Sequence, residues 1–216
     1  MKIAKGCKSW ILSSLIPALL ILIISFIYPQ NSIGFVLLFV SFLFFLLTGF
    51  FLVFFRDPER KIGEGIVACA DGKIREITEL NDTDVGKCIK ISTFMNVQNV
   101  HVNRMVFDGK IKSITHFSGL YLPAFKKESE KNERVVIIIE NSIGLIKIVQ
   151  IAGTLARRIV TYVKKDNILK KGDRIGIIRL GSRVDVYLPC AKIKNINVRI
   201  GCRVKAGENK IAEINA

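Results

Sequence analysis

From Trp10 to Phe55 the chain carries no charged residue. That silence excludes a single water-soluble globule, because so long an uncharged apolar run cannot be shared between one core and a solvated surface. The stretch holds two apolar runs, Trp10–Tyr28 and Gly34–Phe55, separated by Pro29, Gln30, Asn31, Ser32 and Ile33. Each run is long enough to cross a hydrocarbon core of about 30 Å as a helix. Backbone polar groups in lipid must be satisfied within their own segment, so two helices joined by a tight turn are expected, spanning about 10–28 and 34–55. A cleaved signal peptide is the rival, with Lys2, Lys5 and Lys8 as its basic start. No small-residue cleavage site follows the first run, and a second run begins at once.

The flanks set an orientation. Lys2, Lys5 and Lys8 precede the first run, Arg56, Arg60 and Lys61 follow the second, and the turn is uncharged. Cationic flanks stay in the cytoplasm, so both chain ends are expected there, on the inner face of the cell membrane. The expected domains are an anchor, 1–56, and a cytoplasmic β-rich domain, 57–216. The chain carries 33 Lys+Arg against 18 Asp+Glu, a net charge of +15. The basic residues are scattered and accompany no nucleic-acid-binding motif, so no nucleic-acid partner is expected. An anionic membrane surface explains the excess more simply. Five cysteines, odd in number and without a C-x-x-C, suggest neither a disulfide framework nor a metal site; they read as small buried hydrophobes.

Beyond Phe55 the texture changes to short β-rich runs punctuated by Gly, Asn and Asp. Ile66–Ala70, Lys87–Ser92, Val135–Ile139, Leu145–Ala152, Arg174–Arg179 and Arg183–Leu188 read as strands. Val184, Val186 and Leu188 alternate with Asp185 and Tyr187, which predicts one buried face. Leu155 to about Tyr162 is the best short helix, and Glu128–Arg134 a charged connector. The predicted fold is mostly β, with antiparallel sheets, sandwich-like hairpins and short helices, preceded by the two-helix transmembrane hairpin. Two segments resemble each other, Leu169–Gly176 and Ile200–Gly207. Such paired hairpins occur in lipoyl-type sandwiches, but no lysine sits convincingly at a tip, so the repeat reads as architecture.

Five ordered blocks then converge. They are Phe54–Pro58 (FFRDP), Ala70–Ile74 (ADGKI), Phe94–Arg104 ending VHVNR, Asn132–Val135 (NERV) with Ile151–Ile159 (IAGTLARRI), and Lys171–Pro189 containing LGSRVDVYLP. Together they resemble the phosphatidylserine decarboxylase proenzymes, in their short bacterial form, over essentially the whole chain. The resemblance implies self-cleavage between Gly181 and Ser182, giving a β chain, 1–181, and an α chain, 182–216, that stay together as a heterodimer. The Ser182 hydroxyl attacks the preceding carbonyl to form an ester. Elimination and hydrolysis then leave a covalent pyruvoyl group, the cofactor, whose ketone forms a Schiff base with the amine of phosphatidylserine. The implied product is phosphatidylethanolamine with CO2, and the implied role phospholipid biosynthesis.

The chemistry asks for such residues. Gly181 lacks a Cβ, so its carbonyl can be approached closely. A serine hydroxyl is a weak nucleophile and needs a base. Decarboxylation needs an electron sink that no side chain supplies. Only two histidines are present, His101 and His116. His101 falls in the matching motif, where the family uses a histidine in catalysis. Longer members carry a second histidine three positions on, where this chain has Arg104, which leaves the processing base open. Asp71 matches an aspartate that helps activate the nucleophile in longer members; read locally, it is a turn residue in Asp-Gly. Two other readings remain at this level: a membrane-anchored Ser–Lys protease, and a non-enzymatic lipoyl-like adaptor.

Overall fold

In the computed structural model the described residues are 2–28, 32–120, 131–153, 158–179 and 182–215. They form two compact units, Met1–Pro58 and Glu59–Ala216.

The first unit is a helical hairpin. Strand β1 (Lys2–Ile3) pairs antiparallel with β2 (Arg56–Asp57), and between them run α1 (Lys8–Ser25) and α2 (Ser32–Phe54). Both helices are long and apolar enough to cross a membrane, judged by length and composition. Their packing is inverted relative to a soluble hairpin. The buried positions are small or hydroxylated: Ser14, Ala18 and Ser25 on α1, and Gly34, Ser41 and Thr48 on α2. The large apolar side chains, among them Leu20, Ile23, Phe35, Phe39 and Phe42, point outward. Gly34, Ser41 and Thr48 recur at sevenfold spacing, so they form one seam. Across it Ser41 Oγ donates to the Ala18 carbonyl at 2.8 Å and Thr48 Oγ1 to Ser14 Oγ at 2.9 Å. Small residues that let backbones approach, stitched by hydroxyls, are how helices associate where solvent supplies no hydrophobic drive. A Cβ on Gly34 would lie 1.9 Å from the Tyr28 carbonyl oxygen, so that position admits only glycine.

The second unit is antiparallel β. Its strands are β3 (Ile66–Val67), β4 (Gly72–Asp82), β5 (Gly86–Met95), β6 (Val102–Arg104), β7 (Gly109–Phe117), β8 (Arg134–Asn141), β9 (Gly144–Ala152) and β10 (Ile159–Thr161). There follow β11 (Ile168–Leu169), β12 (Arg174–Ile178), β13 (Ser182–Pro189), β14 (Ile193–Ile196), β15 (Arg203–Val204) and β16 (Lys210–Ile214). One large sheet has the order β11-β7-β8-β9-β13-β5-β4-β15; two small sheets have the orders β10-β12-β6 and β14-β16-β3. The core gathers on one face of the large sheet, where Ile91, Ile137, Ile146, Ile148, Val184, Val186 and Leu188 are buried together.

All six expected strands are present, the one expected over Ile66–Ala70 only as Ile66–Val67. The helix expected over Leu155–Tyr162 is not: Ile159–Thr161 is β10, while 154–157 lie outside the described residues. Three consecutive β-branched residues favour the strand. Part of the connector Glu128–Arg134 lies outside the described residues, and Arg134 already begins β8. The long strands β4 and β7 were hidden because each carries a register shift, between Ile74 and Glu76 and between Ile111 and Ser113. A bulge breaks the period-two alternation by which a strand is read. Cys7, Cys69 and Cys88 are buried as expected, whereas Cys190 is half-buried and Cys202 exposed.

Candidate active site

Ser182 opens β13, the strand between β9 and β5 in the large sheet. It faces Met95 on one neighbour and Ala152 on the other. Strand alternation puts Ser182 on the core face with Val184 and Val186, and puts Arg183, Asp185 and Tyr187 on the opposite, outer face.

Of the connections between the large sheet and the β10-β12-β6 sheet, three link strands that neighbour one another in both. Residues 96–101 join β5 to β6, 153–158 join β9 to β10, and 179–181 join β12 to β13. The large sheet orders these strands β9-β13-β5 and the small sheet β10-β12-β6, so the middle crossing is the one that ends at Ser182. Its neighbours hold it. The Ile178 N–H donates to the His101 carbonyl and the Arg179 N–H to the Arg158 carbonyl, each at 3.4 Å. Gly181 and Leu180 lie outside the described residues.

His101 immediately precedes β6, and alternation places it on the same side as Asn103. Asn103 Oδ1 accepts from Gln150 Nε2 at 2.7 Å, and Asn103 Nδ2 lies 3.6 Å from Met95 Sδ. Met95 is the direct neighbour of Ser182, and Gln150 pairs with Val184. The inner side of β6 is thereby fastened over the Ser182 end of β13. His101, Asn103, Gln150 and Ser182 are all fully buried. His101 Nδ1 lies 2.9 Å from the Asn99 carbonyl oxygen. A carbonyl can only accept, so Nδ1 donates, and the neutral ring carries its basic lone pair on Nε2. Ser182 Oγ is buried and meets no hydrogen-bond partner among the described residues. Such a hydroxyl costs about 1–3 kcal/mol, so its place here asks for a reason.

Asp71 approaches the same corner from the other side of β6. Val67 donates to the Val106 carbonyl at 3.0 Å and Arg104 to the Cys69 carbonyl at 2.8 Å. Continuing that antiparallel register sets Asp71 beside Val102, one residue from His101. The Asp71 carboxylate is held by Arg60 Nη2 at 2.8 Å and by the Ala206 N–H at 2.8 Å. The next residue, Gly72, packs so tightly on β5 that a Cβ would lie 2.2 Å from the Phe94 carbonyl oxygen.

Arg104 points elsewhere. Its Nη1 donates to the Gly172 carbonyl at 3.0 Å, and a Cβ on Gly207 would stand 3.2 Å from its Cδ. Gly172 and Gly207 are the turn glycines of the two similar segments, at φ 88° and 76°, but neither segment is the hairpin expected, because β11 and β12, like β15 and β16, pair with other strands and not with each other. The repeat therefore converges on Arg104, which ties the two turns together. His116 is distant in role: its Nε2 lies 3.1 Å from Glu133 Oε1 and its side chain is 54% exposed. Burial pushes the Cys69 thiol up to about 12, against a weaker hydrogen bond from the Arg104 backbone, so it is not a nucleophile near neutrality.

Two buried residues that a motif reading quoted without a role prove to be fasteners. Asn132 Nδ2 donates to the Ala152 carbonyl at 2.7 Å, and the Ala152 N–H to the Glu133 carbonyl at 2.9 Å. Glu133 Oε1 also accepts from the Ile159 N–H at 3.5 Å. Both ends of the 153–158 crossing are thus tied to one dipeptide. Gln150 left a readable signal, a lone amide within an apolar strand, which had to find a buried partner.

Comparison with known proteins shows the family. A family model described as phosphatidylserine decarboxylase matches residues 47–212. The chain belongs to the phosphatidylserine decarboxylase family. It is accordingly a carboxy-lyase. A protein of Methanosarcina acetivorans, provisionally named an archaetidylserine decarboxylase proenzyme, is 43% identical, over 98% of this chain and 97% of its own. Phosphatidylserine decarboxylase proenzymes of Streptomyces avermitilis and Syntrophus aciditrophicus are 45% and 46% identical. They cover 74% and 73% of this chain, and 72% and 76% of their own.

The family matters for the Ser–Lys alternative. The two buried lysines of the central ladder, Lys90 and Lys147, both pair with Tyr187 and so stand on the outer face. They are engaged there by Glu76 and by Asp82 with Asp84. A groove of about 480 Å³ lined by Arg134, Lys147, Asp185 and Tyr187 also belongs to that face, opposite Ser182.

Proposed function

We propose that this chain is a self-processing, pyruvoyl-dependent decarboxylase of a serine phospholipid. The carrying observation is the Ser182 hydroxyl, buried and without a partner among the described residues, at the start of the strand that lies between β9 and β5. In this reading Ser182 Oγ attacks the Gly181 carbonyl and gives up its proton to His101 Nε2. The C–N bond of Gly181–Ser182 breaks, the acyl group moves to the oxygen, and elimination followed by hydrolysis with loss of ammonia completes the change. The chains 1–181 and 182–216 remain together because β13 is hydrogen-bonded on both sides.

The residues fit a pyruvoyl group at 182: converting a hydroxyl that makes no hydrogen bond among the described residues tears no network there. When present, that group supplies a carbonyl sink for the electrons released as CO2 departs. The rest is the work of the chain's own residues. His101 Nε2 holds or returns the proton at the carbon that loses carboxylate. Asp71, fixed by Arg60 and the Ala206 N–H, stiffens the His101 side of the site. Burial of Met95, Ala152 and Gln150 around position 182 excludes water.

The helical hairpin tethers the enzyme in the membrane that holds its substrate. Both chain ends lie on the cytoplasmic side in this proposal, where a net charge of +15 favours the anionic leaflet. The substrate is phosphatidylserine, converted to phosphatidylethanolamine. The near full-length likeness to an archaeal relative brings in archaetidylserine as a second substrate, with the same serine headgroup on another lipid backbone.

Denaturing mass spectrometry of the purified full chain tests the reading. Two fragments ending and starting at the 181/182 junction are expected, the second lighter than a serine-started peptide by the loss of ammonia. Ser182→Ala is expected to stay whole. An intact wild-type chain that nonetheless releases CO2 from either lipid would sink the pyruvoyl proposal, and assaying both lipids side by side identifies the substrate.

A further inference from the structure

Once the Gly181–Ser182 bond is gone, position 182 is the free end of a strand. Strand ends fray at little cost, and fraying here would carry the reacting group out of the site. The ladder to Met95 and Ala152 holds the backbone, but at a terminus its last bonds are its weakest. The very next residues carry a device on the other face of the sheet. Arg183 Nη2 lies 2.9 Å from Asp185 Oδ2, and both side chains are almost wholly buried, 7% and 1% exposed. Arg183 faces Phe94 and Ile151, the residues adjoining the two neighbours of Ser182. Asp185 faces Ser92 and Val149. The Glu76–Lys90 pair, at 3.1 Å, stands on the same face.

We infer that the Arg183–Asp185 pair is a latch that holds the new N-terminus of the α chain in register after cleavage, making both positioning residues for the group at 182. This rests on the cleavage proposed above. The logic lies in the timing. Before cleavage, Ser182 is fixed covalently from both sides and the latch is redundant. After it, the first two residues can peel away only by dragging a guanidinium from its buried carboxylate, which leaves a charge uncompensated. The pair therefore adds nothing to self-processing and matters only to the mature enzyme.

The experiment compares Arg183→Met with wild type, each as the mature enzyme and in the uncut Ser182→Ala form. Hydrogen exchange is followed at the amides of residues 183–185, and self-cleavage and turnover are measured in parallel. Exchange at least about tenfold faster in mature Arg183→Met, and within about twofold of its control in the uncut form, is the expected result. Cleavage should proceed at the wild-type rate, while kcat falls about tenfold with KM unchanged, and Arg183→Lys should recover part of the loss. Equal acceleration of exchange in both forms, or cleavage and turnover falling together, would reduce the pair to a fold-stabilising contact and overturn the latch. No change in either form overturns it too. A wild-type chain that stays uncut removes the cleavage reading and the latch with it; a cut wild type beside an unaffected variant removes the latch alone.

Discussion

Strand β13 has two faces that solve opposite problems. On the inner face Ser182, Val184, Val186 and Leu188 are buried and, apart from one hydroxyl, apolar. On the outer face Arg183 and Asp185 are just as buried but charged, and Tyr187 lies under the Lys147 ammonium, 4.7 Å from its ring centroid. The outer face pairs its charges, Glu76 with Lys90, Asp82 and Asp84 with Lys147, Arg183 with Asp185, although Asp185 Oδ1 has no hydrogen-bond partner among the described residues. The inner face leaves its one hydroxyl without a partner among the described residues. The proposed reacting group and the ion pairs are thus separated by the thickness of one sheet, along a single strand.

The strongest way to break this contrast is on the inner face. His101→Gln keeps a polar side chain of similar reach but removes the base. Self-cleavage should slow by about 10²–10⁴-fold, with the melting temperature little changed; a gel or mass time course of fresh protein reads it. A variant that cleaves at the wild-type rate would take His101 out of processing. A smaller effect is expected one residue pair away. Asn103→Leu strands Gln150 Nε2 in the interior and should cost about 1–3 kcal/mol in denaturant unfolding. Asn103→Leu with Gln150→Leu removes both partners and should recover most of that loss. If the double variant is no better than the single, the amide pair is not what fastens the two sheets.

The two faces also differ in how much the sequence disclosed. Alternation over Val184–Leu188 showed that β13 has a buried side, and the ordered motifs singled out Gly181, Ser182, His101 and Asp71. Neither pattern could show that Arg183 and Asp185 are buried as well, because alternation assigns charged residues to solvent. Their burial depends on strand pairings among residues as far apart as Phe94 and Ile151. The convergence of three crossings at Ser182 is likewise a property of strand order, which short-range pattern does not encode. Arg104 is the instructive case. Motif reading saw it as a missing histidine, whereas the fold uses its length to reach Gly172, which an imidazole could not do. The helical hairpin was the most legible part, since composition alone decides what can lie in lipid. Even there the seam of Gly34, Ser41 and Thr48 became visible only once the helices were paired.

The smallest expected effect tests the outer face through pH. Burial works to raise the Asp82 carboxyl, but the Lys147 ammonium and the Asp84 and Val85 amides outweigh it and hold the group below its usual 3.8. Glu76 is likewise held below 4.5, burial being outweighed by Lys90 and Thr78. A carboxyl whose folded-state value is depressed binds its proton more readily when unfolded. Its stabilisation is therefore present above the unfolded value and is lost as pH falls through the folded one. These two ion pairs should weaken below about pH 4 and be indifferent between pH 6 and 8, whereas the Asp185 carboxyl on the same face, pushed up by burial, works in the opposite sense. Asp82 and Glu76 are partly open to solvent, so screening limits each contribution to about 1 kcal/mol or less. The location matters more than the size. Lys147 lies on β9, Asp82 and Asp84 at the tip of the β4–β5 hairpin, and β13 runs between, so these ion pairs fold the hairpin back across the outer face. Asp82→Asn should flatten the acid limb of a melting-temperature profile while leaving cleavage at Ser182 untouched at neutral pH. If it slows cleavage as well, the two faces are coupled through β13, and the division of labour between them fails.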